Sequence, residues 1–89
     1  MKTIDLANHL QKVYPKLNFR NHCYLRISYD TVVGAKWDTV IERPFIAKAS
    51  AEQVERVDEL LRLYIEDKDL LLKHNLKSLE YRGKLKPRT

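Results

Sequence analysis

The sequence predicts an all-α fold: a compact single-domain bundle of four main helices, with a short irregular segment around Trp37 to Phe45. Three observations carry that expectation. Eighty-nine residues, 44% hydrophobic and 33% charged, can bury one core but not two. Only two glycines interrupt the chain, which suits soluble helices better than a scaffold built from loops. Finally, three stretches combine a helix-period apolar stripe with start or stop signals, while only one reads well as a strand.

A first helix is expected over about residues 4 to 14. Thr3 is placed to cap it, Asp5 lies in the electropositive first turn, and Leu6, Leu10, Val13 and Tyr14 form the stripe that Pro15 ends. Leu17 and Phe19 in the connection are apolar enough to fold back onto the core.

The stretch NHCYLRISYD, residues 21 to 30, supports two readings. Cys23, Leu25, Ile27, Tyr29, Thr31 and Val33 alternate with Arg26, Ser28 and Asp30 at the period of a half-buried strand. An α+β fold with residues 22–33 as a strand is therefore the alternative. A strand needs ladder partners, however, and the other β-like segment, TVIERPFI, is interrupted by Pro44. On a helix, Cys23, Ile27, Gly34 and Trp37 share a side, and Arg26 and Asp30 stand four apart as an intrahelical ion pair requires. The expectation is a helix from about Asn21 to Val33, with Gly34 as a left-handed exit.

KWDTVIERPF follows as a short turn of helix or an irregular segment anchored by Trp37 and Phe45. Ser50 and Gln53 make a capping box for the clearest helix, about 51 to 66, whose stripe is Val54, Val57, Leu61 and Tyr64 with Leu60 and Ile65 beside it. EDKD reads as the turn into a last helix, about 69 to 82, lined by Leu72, Leu76 and Leu79 with Leu71, and closed by Gly83. The domain is expected over 1–83, with 84–89 as a flexible basic tail.

The net charge of +5 is unevenly placed. Residues 51 to 70 hold three Lys/Arg against seven Asp/Glu, and residues 71 to 89 hold six against one. A single cysteine cannot form an internal disulfide, which points to a reducing compartment, the cytoplasm by default. The amino terminus lacks the continuous apolar run of a signal peptide, and no stretch approaches the roughly 20 apolar residues that span a bilayer.

Candidate chemistry is sparse. His22 and Cys23 are adjacent, so on a helix they point about 100° apart and cannot easily form a nucleophile and base. Cys23 is expected as a small buried hydrophobe. His9, His22 and His74 lack ligand spacing, so no metal is expected, and no glycine-rich loop is present to hold a phosphate. The best small-site candidate is the polar stripe His22, Arg26 and Asp30, with Trp37 and Asp38 close by. Its plainer reading is a solvated Arg26–Asp30 pair worth roughly 0.2–0.5 kcal/mol, with Trp37 in the core. At the other end, Lys73, Lys77, Lys84, Lys86, Arg82 and Arg88 make a basic surface on which Tyr81 could stack. Cations in a last helical turn also simply complement the helix dipole.

NHCYLRISYD, VVGAKWD, RPF at 43 to 45 and HNLKSLEYRGK together resemble a group of small bacterial proteins of no settled function, some loosely labelled acetyltransferase. That superfamily holds the pyrophosphate of coenzyme A on a glycine-containing loop before a helix, within a mixed-sheet fold. Arg82-Gly83 is the one similar fragment, and it falls at a helix end, so the resemblance assigns no catalytic residue and no cofactor. The expected function is a small cytoplasmic, non-catalytic binding module that docks on a protein partner or on itself. Accessory nucleic-acid binding through the basic C-terminal helix is the first alternative, and a small enzyme around His22, Arg26 and Asp30 the second.

Overall fold

The computed structural model describes residues 2 to 84. Lys86 and Arg88, and with them all of the expected tail beyond Lys84, lie outside the described residues. The fold is an all-α bundle: α1 (Thr3–Val13), α2 (Asn21–Val33), a 3-10 turn (Trp37–Thr39), the four-residue α3 (Phe45–Lys48), α4 (Ala51–Glu66) and α5 (Lys68–Tyr81). The described residues contain no strand, so the α+β alternative falls away.

α2 is the central helix. It packs against α1, α4, α5 and the 3-10 turn, and buries Tyr24, Ile27, Ser28, Tyr29 and Asp30. A helix covered on most sides shows no clean polar face, which is why its sequence can imitate a strand. Two of its hydroxyls bond within the helix: Ser28 Oγ donates to the carbonyls of Tyr24 and Leu25, and Thr31 Oγ1 to that of Ile27. Gly34 ends the helix at φ 77°, a left-handed conformation that side chains disfavour.

α1 contributes Leu6, Ala7 and Leu10 to the core, and α4 contributes Val57, Leu61 and Tyr64. The α4 boundaries match the capping box, with the Gln53 amide donating to Ser50 Oγ at 3.1 Å and Gln53 Oε1 accepting from the Ser50 amide at 2.9 Å. Tyr14 reaches α4 from the first connection, its hydroxyl 2.6 Å from the Tyr64 carbonyl and 3.1 Å from that of Ile65. These belong to the last turn of α4, where carbonyls lack helical donors.

Four local expectations need correction. The residue preceding α1 is Lys2; Thr3 is already helical, and its hydroxyl donates to Asp58 of α4 instead of capping. The EDKD turn shrinks to Asp67 alone, whose side chain caps α5 by accepting from the Leu70 amide at 3.0 Å. Cys23 is only half-buried, outside the buried core. On α5 the inward positions are Leu71 and Ser78, while Leu76 is 52% exposed. The leucine stripe is rotated away from the core because α2 opposes α5 with charged groups that need polar partners.

Tyr64 is fully buried, and its hydroxyl shares a 2.7 Å hydrogen bond with Nδ1 of His74. Burial first, and Lys73 second, hold His74 below its ordinary 6.5. The unfolded chain therefore binds a proton at this site before the folded one does, so stability should be full above pH 6.5 and fall as pH drops below it. Urea midpoints recorded on either side of that value check this, with His74→Phe expected to flatten the slope; an unchanged slope in the variant would exclude His74 as the cause.

Candidate functional site: an arginine-lined cleft

The polar side of α2 meets α5 in one connected network. Asp30 is fully buried and accepts four hydrogen bonds: from the Trp37 amide at 2.9 Å, Ser78 Oγ at 2.6 Å, and Nε and Nη2 of Arg82 at 2.7 and 3.0 Å. A carboxylate can be held in a core only when its charge and lone pairs are matched this way. Ser78 is buried as well and accepts from Arg26 Nη1 at 2.9 Å, while Arg26 Nη2 donates to Asn75 Oδ1 at 2.8 Å. Asn75, Ser78 and Arg82 recur at helical spacing along the side of α5 that faces Arg26 and Asp30.

The expected Arg26–Asp30 pair on a solvated face is thus replaced by Asp30–Arg82, across 52 residues of chain. Arg26 is left with neutral acceptors. Burial pulls its guanidinium below its ordinary value, and Arg82 pushes the same way against Cys23 and Asp30. It still carries its charge at any physiological pH, because arginine does not lose its proton in proteins.

Above this network opens a cleft of about 310 Å³, lined by His22, Leu25, Arg26 and Tyr29 from α2, Trp37 and Arg43 from the following segment, and Arg82 from the end of α5. An aromatic trio positions the segment. Tyr29 stacks on Phe45 at 3.9 Å and 7°, and Trp37 meets both rings edge-on at 5.4 and 5.6 Å. Burial pushes the Tyr29 hydroxyl up to about 12, so it stays protonated. Arg43 lies over the Trp37 ring, 5.2 Å from its centroid, and donates to Asp38 at 2.6 Å. That hydrogen bond, foremost, holds the Asp38 carboxyl below its usual range.

Of the predicted cluster, His22, Arg26 and Trp37 line the cleft, Asp30 sits behind it as the anchor of Arg82, and Asp38 stands outside as the partner of Arg43. Sequence reasoning missed Arg43 and assigned Arg82 to the wrong surface. The available signal for Arg82 was the polar repeat Asn75, Ser78, Arg82 running beside the leucines.

The basic surface is correspondingly reduced. Lys73, Lys77 and Lys84 are exposed, but Lys77 lies 3.7 Å from Glu80 and over the Tyr81 ring at 5.5 Å, while Arg82 turns inward to Asp30. Ser78 offers no nucleophile to solvent, since it is fully buried and held between Asp30 and Arg26. Gly34 and Gly83 both follow helices, at φ 77° and 67°. The described residues hold no group of His, Cys, Asp and Glu able to bind a metal ion, and no described helix is long and apolar enough to cross a membrane. Compared with protein-family models, characterised proteins and solved structures, the chain matches none, so its likeness to other proteins assigns this cleft no chemistry.

Proposed function

We propose that the chain is a small non-catalytic binding module that docks an acidic group of a partner protein in the arginine-lined cleft. One observation carries the reading: Arg26 is a half-buried cation whose hydrogen bonds go to neutral oxygens, in a cleft lined by two further guanidinium groups. Burying a charge is costly unless it is paired, and the nearby buried carboxylate, Asp30, is already spent on Arg82. A partner's anion would supply the missing counter-charge through charge-assisted hydrogen bonds. The lone cysteine suits a reducing, cytoplasmic setting for such an encounter.

The test compares the wild-type chain with Arg26→Gln as bait in nuclease-treated extract, after circular dichroism and urea titration have established that the variant folds. A protein retained by the wild type and lost by the variant is the expected result. Equal capture by both sinks the cleft as the docking site, and capture that vanishes with nuclease transfers the function to nucleic acid. Concentration-dependent self-association abolished by the same substitution would make a second copy the partner.

A further inference from the structure

Building on that docking reading, we infer that the anion this cleft takes is a phosphate monoester rather than a carboxylate. The first argument is the supply of donors. An arginine offers five N–H groups; among the described residues Arg26 and Arg82 each commit two to protein acceptors, and Arg43 commits one. The uncommitted donors come from three separate elements: the middle of α2, the end of α5 and the segment before α3. A carboxylate presents two oxygens in one plane and is satisfied by a single guanidinium fork. A phosphate monoester presents three acceptor oxygens around a tetrahedron, which matches approach from three directions.

Charge leads to the same class. Three arginines line the cleft; Asp30 pairs with Arg82 and Asp38 with Arg43, so Arg26 is the one of the three without a carboxylate partner. A phosphate monoester carries about −1.5 to −2 at neutral pH. The Arg43 side chain is 72% exposed and can turn from Asp38 to a more highly charged phosphate, which brings a second positive charge to it. A volume of about 310 Å³ lies at the lower end of ligand sites, roughly 300 to 1,000 Å³, enough for the phosphate and the first part of its ester group. Leu25 and Trp37 give that group an apolar wall.

The experiment is an NMR and calorimetric titration of the full chain with acetate, sulfate, inorganic phosphate, phenyl phosphate and adenosine monophosphate, following the side-chain Nε–H signals of Arg26 and Arg82. Phosphate should bind at least about tenfold tighter than acetate, a difference of about 1.4 kcal/mol. The affinity of phenyl phosphate should rise with pH through about 6, where a monoester loses its second proton, while sulfate shows no such rise. Arg43→Gln, at an exposed position, should weaken phosphate at least about tenfold without changing the fold. Tighter binding of phenyl phosphate assigns the ester to a phosphorylated side chain of a partner; tighter binding of adenosine monophosphate assigns it to a nucleotide. Acetate binding as tightly as phosphate overturns the phosphate assignment and leaves anion docking standing. If no anion shifts the arginine signals, the inference fails outright, and the extract experiment with Arg26→Gln still decides the docking reading separately.

Discussion

Replacing Asp30 by alanine should cost about 3–5 kcal/mol of stability, the range for removing one partner of a buried ion pair. The loss exceeds that of the pair itself, because four donors converge on this carboxylate: the Trp37 amide, Ser78 Oγ and two nitrogens of Arg82. Without it, Arg82 and Arg26 face each other across the same interface with no intervening negative charge. Arg82→Ala should cost less, since Asp30 would keep its bonds from Ser78 and Trp37. The double variant should be less destabilised than the two single losses together, the signature of residues in one network. Urea unfolding of the three variants measures this. A cost for Asp30→Ala below about 1 kcal/mol, the worth of an ordinary hydrogen bond, would show that the network does not hold α2 to α5.

A loss of about 3–5 kcal/mol is also expected for Phe45→Ala, with a different spatial signature. Phe45 is 2% exposed and, with Trp37, ties the segment between α2 and α4 to Tyr29. Removing the ring leaves a cavity under a segment then held to α2 through Trp37, whose amide donates to Asp30 and whose ring meets Tyr29; beyond Trp37 the Val40 and Ile41 amides donate to its carbonyl, and the Ala49 amide donates to that of residue 45. Hydrogen exchange at Val40, Ile41 and Ala49 should therefore accelerate before exchange in α1 or α4, as a locally opening unit does. Arg43 would lose its place over Trp37, and anion affinity should fall with it. Uniform acceleration across all helices would instead make Phe45 part of the general core.

The legible parts of this chain were those governed by neighbours in sequence. The capping box at Ser50 and Gln53, the left-handed exit at Gly34 and the stripe Val57, Leu61, Tyr64 each depend on residues within a turn or two, and each sits where periodicity and capping chemistry put it. α2 was harder because burial on several sides erases the amphipathic signal, so its alternating pattern suited a strand as well as a helix. In α5 the leucines drew attention to the wrong side. Apolar periodicity assumes that the opposing surface is apolar, and here it carries Asp30 and Arg26.

Local sequence thus placed the ends of α1, α2, α4 and α5 to within a few residues, left residues 22–33 open between helix and strand, and grouped His22, Arg26 and Trp37 as candidate neighbours. Folding decided which charges meet. Arg82 is 52 residues from Asp30 and lies beyond α3, α4 and α5, and Arg43 arrives by way of the aromatic anchor at Phe45. Helical periodicity reaches three or four residues and no further, whereas the pairing of a buried carboxylate is set by desolvation. Once Asp30 is enclosed by the bundle, the stable arrangement is the one that delivers cationic and hydroxyl donors to both of its oxygens. That requirement turns Arg82 and Ser78 inward and leaves Arg26 with neutral acceptors on the wall of the cleft.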